Sequence, residues 1–296
     1  MRLRGASQWR VRAPQEFLAN TLLEVHCSLL RMAAARGDLF ALLSLPEHYR
    51  EGDAVRHAAS VRPAARDQNR SLIAPLGYGE TRALSYGALY HPWPVGREGD
   101  SARNSLRATP PCGAAAGVLA RRALVRGAWV APANEPLRGV VSLAPPILPA
   151  ARQGLQDAQV NLIRREPRGF LALSADTLSD DEDLRPVNVR RLLILLRRLA
   201  LRLGATYVFE PHSEAFRRQV KRGFEAMLGE MFERGAFAGA TPADSFQVNT
   251  LSELNTPQLA DQGRFIVELK VAPSLPLTFL TLRLVQSSDR VAAEER

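Results

Sequence analysis

The chain has 296 residues, 46% of them hydrophobic, and a formal net charge of +9 from 39 Lys or Arg against 30 Asp or Glu. That length supplies a sizeable core in one large domain or two smaller ones, and the apolar content is ordinary for a globular protein. No run reaches the ~18 uncharged apolar residues of a membrane span, and Cys27 and Cys112 alone give no disulfide framework and suit a reducing compartment.

The start, Met1 to Trp9, lacks the apolar core of a signal peptide. Synthesis and folding in the cytoplasm are expected, with no membrane insertion by this chain. The only lysines are Lys221 and Lys270, so the positive charge is almost all arginine and is spread along the sequence. No basic cluster is interleaved with aromatics in the manner of a nucleic-acid platform. A nucleic-acid partner is therefore not expected. A basic face that meets an acidic protein remains open, beside simple solubility.

Residues 15–45 open with a helical pattern, Phe17, Leu18, Leu22, Leu23, Val25, Leu29, Leu30 and Met32. Gly37-Asp38 breaks it, and Leu39–Leu43 reads as a short apolar strand. Residues 50–70 are rich in Ala and Arg and predict a second helix. From Tyr78 to Pro111 the chain is rich in Gly, Pro and Ser; Ala83–Tyr90 predicts a strand there and 96–108 a loop. Cys112–Arg126 begins with small residues and predicts a tightly packed helix. Pro145, Pro146 and Pro149 exclude regular structure around them. Val160–Ile163 and Phe170–Leu173 are short buried-strand candidates.

Asn188–Leu203 predicts a helix that is apolar nearly all round, interrupted by Arg190, Arg191, Arg197, Arg198 and Arg202. The acidic run Asp180–Asp183 precedes it, where negative charge meets the positive end of the helix dipole. Thr206–Glu210 reads as a strand. Ser213–Arg234 predicts a helix with Phe216, Val220, Phe224, Met227, Met231 and Phe232 on one face. Phe246–Asn249 is a further strand and Leu251–Gln262 a polar turn region. Two strand-patterned segments end the chain, Phe265–Val271 and Leu277–Gln286. Strands and helices mix, so the expected fold class is α/β with α+β character.

The connection between the last two segments holds Pro273 and Pro276 and lacks the Asn-Gly or Gly of a tight hairpin turn. Proline favours extended backbone at itself and at the residue before it. Ala272–Pro276 is thus expected to be a semi-rigid spacer and hinge, holding the last strand away from its own sheet. Such a strand, with Leu277, Phe279, Leu280, Leu282, Leu284 and Val285, suits pairing with a neighbouring chain by strand addition. An ordinary last strand packed at home is the alternative.

Residues with catalytic potential form no constellation. His26, His48, His57, His91 and His212 show no ligand spacing with cysteine or acid. His26 and Cys27 are adjacent on a helix and point different ways. Asp180–Asp183 lacks the alternation and glycine of a calcium loop. Gly77-Tyr-Gly79 lacks the context of a phosphate loop. No catalytic, cofactor or metal residue is predicted, and the residues alone stop at an interaction or structural protein.

Ordered short matches add a specific reading. They run from Pro110-Pro-Cys-Gly-Ala-Ala-Ala-Gly-Val-Leu-Ala-Arg121, through Arg126–Glu135, Val160–Arg164 and Val187–Leu192, to Gly235–Pro242, Asn255-Thr-Pro257 and Gly263–Glu268. In this order they resemble the tail sheath protein family of contractile phages and phage-tail-like injection systems. The resemblance covers Pro110–Gln286, with looser matches at Gly37–Leu43 and Ser85–Pro92.

The resemblance implies a non-enzymatic subunit without cofactor. Copies of it surround an inner tube, meet baseplate or cap proteins, and shorten to drive the tube into a target. It implies a partial sheath domain at 1–110 without an evident N-terminal arm, a C-terminal sheath domain at 111–276, and a C-terminal arm and tail at 277–296. Arg190, Arg191, Arg197, Arg198, Arg217, Arg218 and Lys221 are candidates to face the tube. A cap or baseplate component that binds a sheath without polymerising, and a small-ligand-binding α/β domain, are the competing readings.

Overall fold

The computed structural model describes residues 15–63, 76–97, 105–208, 210, 213–251, 253–274, 280–287 and 290–295. The fold is mixed α/β. In chain order, helix α1 (Gln15–Arg36) leads to strand β1 (Ala41–Ser44), α2 (Glu51–Val61) and a 3-10 segment at Tyr78–Tyr86. Strands β2 (Gly87–His91), β3 (Trp93–Arg97) and β4 (Leu106–Ala108) precede α3 (Pro111–Arg126). Then come β5 (Glu135–Leu137), β6 (Val140–Ala144), α4 (Arg152–Asp157), β7 (Val160–Glu166) and β8 (Gly169–Ala172). The last third holds α5 (Val187–Ala205), α6 (Glu214–Glu233), α7 (Pro242–Ser245), β9 (Phe246–Asn249), α8 (Pro257–Asp261), β10 (Phe265–Val271), β11 (Leu280–Ser287) and β12 (Arg290–Glu295).

Three sheets result. The first has the order β1-β2-β7-β8-β5; β1, β2 and β7 are parallel, and β8 and β5 add antiparallel strands at one side. Both faces are covered, as a parallel sheet requires, and all five residues of β2 are buried. Leu30, Leu43, Ala58, Leu84, Leu89 and Leu162 fill the layer under α1 and α2. Ala88, Tyr90, Ala115, Leu119 and Val187 fill the other, under α3 and the start of α5. The second sheet, β4-β3-β6, is small and antiparallel. The third, β12-β11-β10-β9, is antiparallel throughout and packs on α5 and α6.

Helix α5 joins these layers, which explains its nearly continuous apolar surface. Leu192, Leu193, Leu196 and Ala200 belong to the core of the third sheet, Val187 to the α3 layer, and Ile194 packs with Ala33 and Tyr86. A helix apolar all round is one buried all round. Helix α6 carries the expected stripe: Phe216, Val220, Phe224, Leu228 and Met231 are buried. Its first turn is capped by Ser213, whose Oγ accepts from the Phe216 amide at 3.1 Å.

Several expectations are corrected. Thr206–Glu210 is not a strand: α5 runs on into a turn in which Tyr207 is buried edge-on to Phe216, fixing the approach of α6. Phe209 lies outside the described residues. Ala83–Tyr90 is half 3-10 turn and only then strand, because Tyr86 turns in to meet α5. The region read as a loop at 96–108 holds the end of β3 and all of β4, while 98–104 lies outside the described residues. Strands β3, β5, β6 and β12 are also absent from the sequence reading, since none has a clear alternation to announce it.

Candidate subunit interface

Strand β10 is the spine of the third sheet. Phe265, Val267, Leu269 and Val271 are buried in the core shared with α5 and α6. The strand is paired on one side along its whole length: Phe265 stands opposite Gln286, and the antiparallel register continues to Val271 opposite Leu280. This corrects the expectation that the last strand stands away from its own sheet. Backbone positions Leu280, Leu282, Leu284 and Val285 are opposite Val271, Leu269, Val267 and Ile266 of the same chain. The cost of closing a loop rises slowly with its length, so a longer connection in place of a tight turn is outweighed by seven aligned residue pairs. Leu277, Phe279 and Pro276 lie outside the described residues.

The other side of β10 is closed by two devices. Strand β9 pairs with Glu268–Val271 only. Beyond its end the side chain of Asn255 takes over. The Ile266 amide donates to Asn255 Oδ1 at 2.7 Å, and Asn255 Nδ2 donates to the Ile266 carbonyl at 2.9 Å. One buried carboxamide thus stands in for a strand residue and hides an edge that would otherwise invite pairing. At the opposite limit of the sheet, β12 pairs with β11 alone among the described residues, through Leu282–Glu295 to Ser287–Arg290. Among the described residues, the outer rims of β12 and of β9 are the two edges of this sheet without a further strand.

Pro273 does not serve as a hinge in this arrangement. It is buried and forms a bridge with Phe237, while the Ala272 amide donates to the Ser245 carbonyl at 2.8 Å and Ala272 accepts from Ala238 at 2.9 Å. The chain is held through Pro273, and the first exposed residue after it is Ser274.

The candidate tube-facing cations divide. Arg190 is fully buried, which removes it from any surface. Its Nη2 donates to Ser85 Oγ at 2.6 Å and its guanidinium lies 4.1 Å from the centre of the Tyr86 ring. It is a pin between α5 and the first sheet. Arg191 is half-buried, and burial pulls its pKa below the usual guanidinium value. Arg197 is half-buried against Gly37, where an added Cβ would come within 2.9 Å of its Nε. Arg217 is also half-buried, while Arg198 is exposed. On α6, exposed Arg218 and Lys221 sit 3.6 Å from Glu214 and 3.7 Å from Glu225. Arg222 is exposed beside them.

Among the described residues no three of His, Cys, Asp and Glu come together as metal ligands, and no helix is long and apolar enough to cross a membrane. His26 Nδ1 meets His57 Nε2 at 2.9 Å, between α1 and α2, rather than Cys27. Cys27 is fully buried, and burial pushes its thiol pKa up, away from the nucleophilic thiolate. In the sequence Asn255 stands out only as part of the Asn255-Thr-Pro257 motif. Its role needs a three-dimensional sheet, since nothing in the sequence says where β9 stops.

No family model matches the chain. Over 195 residues it is 26% identical to the tail sheath protein of Vibrio phage KVP40, a stretch covering 64% of this chain and 28% of that protein. The chain thus spans under a third of that relative's length. Among solved structures, a chain of the anti-feeding prophage baseplate is 25% identical with a TM-score of 0.60, covering 80% of this chain and 66% of the other. The sheath complex of an extracellular contractile injection system in the contracted state is 24% identical with a TM-score of 0.66, covering 80% of this chain and 61% of the other. The resemblance to contractile sheath proteins thus holds in sequence and in fold.

Proposed function

We propose that this chain, which carries the fold of the contractile sheath proteins and is similar to them in sequence, is a structural subunit of a contractile sheath. Its copies surround an inner tube and link through the C-terminal hairpin β11–β12. The observation that carries the reading is the placement of that hairpin at one side of the third sheet, where β11 meets β10 through seven aligned residue pairs. Any β10 offers the same seven-residue register to a hairpin from its own chain or from a neighbour. Exchange between copies therefore keeps the same ladder and costs little beyond association itself. Mass action on many such links then favours the assembled form.

On α6, Arg218 and Lys221 of the predicted basic set, with exposed Arg222 beside them, suit an acidic tube surface. Their partners Glu214 and Glu225 weaken that field, so the contribution is small and sensitive to salt. The subunit works by assembly and not by enzymatic chemistry. A second reading, a baseplate or cap component that binds a sheath end, is favoured by the likeness to a baseplate chain.

Negative-stain microscopy of the purified chain, alone and with its tube protein, tests this reading. Tubules are expected, and deleting residues 277–296 should abolish them while circular dichroism stays that of a folded protein. Decorated ends without tubules would favour the baseplate reading, and tubules of normal yield from the truncated chain would remove the role of the hairpin.

A further inference from the structure

A groove of about 640 Å³ lies between α3, β5 and the β4-β3-β6 sheet, away from the hairpin. Arg97, Arg107, Arg121 and Arg138 line it, and all are exposed. The one carboxylate among the described lining residues, Glu135, is already engaged by Arg122 at 2.5 Å. The described lining of the groove therefore carries a net positive charge. Gly96 and Gly117 lie along it, and small residues there let an incoming backbone approach closely. One turn further along α3, Leu124 and Val125 are 87% and 74% exposed, so the wall ends in an uncovered apolar step.

The chain carries an acidic counterpart at its other pole. Asp180-Asp181-Glu182-Asp183 is a turn held in shape by local hydrogen bonds. The Leu184 amide donates to the Asp181 carbonyl at 3.2 Å, and the Asp183 amide to Asp181 Oδ1 at 3.0 Å. Asp180, Asp181 and Glu182 are exposed; Asp180 Oδ1 accepts from Arg62 Nε of the same chain at 3.0 Å, so Asp181 and Glu182 carry the outward charge. The turn sits at the amino ends of the parallel strands: the Leu178 amide donates to Gly87 at the start of β2, and Gln159, just before β7, donates to Ser179. The groove sits past the carboxyl ends of the same strands. β3 follows β2 directly, and Leu137 stands beside Phe170, itself beside Arg165 near the end of β7. At ~3.3 Å per strand residue the two features are roughly 20 Å apart on opposite poles.

We propose that the arginine groove of one copy receives the Asp180–Asp183 turn of a second copy. The contact is heterologous: a turn seated in one groove leaves the second copy's own groove open for a third, so it propagates head to tail and does not close on a pair. Charge complementarity sets its register and its encounter rate, and the preformed turn lowers the ordering cost. This goes beyond strand exchange and uses neither β11 nor β12.

Disulfide trapping in the full chain tests it. In a Cys112→Ser background, Arg138→Cys combined with Glu182→Cys should give a covalent ladder of dimers, trimers and longer species on mild oxidation. A disulfide needs Cα atoms within about 7 Å, so this pair cannot close within one copy. Mixing the two single variants should give the mixed dimer only. In sedimentation at low salt, Arg121→Glu should weaken association about tenfold, and Glu182→Arg in the same chain should restore it. Monomer alone after oxidation, homodimers from Glu182→Cys by itself, or no restoration by the charge swap would each overturn the contact. The disulfide forms whether or not strands are exchanged, so its absence would leave the sheath reading standing.

Discussion

Replacing Asn255 by alanine tests how the edge of β10 is closed. Asn255 is 1% exposed and satisfies both the amide and the carbonyl of Ile266, at 2.7 and 2.9 Å. Alanine leaves a buried donor and a buried acceptor unpaired, and each costs about 1–3 kcal/mol. A net loss of about 2–4 kcal/mol is expected after local relaxation, read by urea unfolding at neutral pH, together with faster aggregation as the edge opens. Asn255→Asp sharpens the test. An ionised carboxylate still accepts from the Ile266 amide but sets a second acceptor against the Ile266 carbonyl. A protonated one donates there, as the carboxamide does. The folded state therefore raises the pKa of this aspartate above its unfolded value of about 3.9. Its deficit relative to the parent is greatest above the raised pKa and shrinks as pH falls through it. An Asn255→Ala variant within about 0.5 kcal/mol of the parent would refute the reasoning, because losses that small are typical of surface sites.

Arg190→Ala should cost about 3–5 kcal/mol in the same assay, since it removes a buried cation bonded to Ser85 and stacked on Tyr86 and leaves its volume empty. Arg190→Met, which keeps most of the volume, should cost less; equal losses would argue against a packing role. Buried histidines make the fold acid-labile. Burial lowers the pKa of His57 and His91 to about 4 and, with the neighbouring His57, that of His26 to about 3. The neutral forms are favoured in the fold, so stability is complete above the unfolded value of about 6.5. It falls as pH drops from there toward 4, by about 1.4 kcal/mol per pH unit for each histidine that stays neutral. Unfolding free energies that do not change between pH 6.5 and 4.5 would contradict this. Neither ring nitrogen of His91 meets a hydrogen-bond partner among the described residues. His91→Leu should therefore hold stability or gain about 1–2 kcal/mol at neutral pH and flatten the acid slope.

The long periodic helices were legible because their stripes are dictated by burial alone. The α6 face from Phe216 to Met231 and the apolar surface of α5 appear in the structure as the pattern predicts. Elements set by tertiary contact were not legible. Arg190 looked like one cation in a basic face, since the sequence does not reveal that Ser85 and Tyr86, about a hundred residues earlier, provide its pocket. Tyr207 and its neighbours have strand-like composition, yet the packing of Tyr207 on Phe216 holds them in a turn. The prolines after Val271 were read as holding β11 away. Pro273 is tied to Phe237 and the ladder forms beyond it. At the candidate interface, the sequence located the terminal strand and left open where it pairs. It offered no sign of Asn255 as an edge seal. The groove arginines were hidden because Arg97, Arg107, Arg121 and Arg138 are scattered over four elements or their connections.

The account turns on whether hairpins pass between copies. Glu268 and Arg283 are opposite one another across β10 and β11, and oxidised assemblies mixed from a Glu268→Cys chain and an Arg283→Cys chain report the pairing directly. Strand exchange predicts a covalent dimer joining the two variants in the assembled fraction. Tubules in which the two chains stay unlinked, while a chain carrying both substitutions closes its disulfide internally, would contradict it.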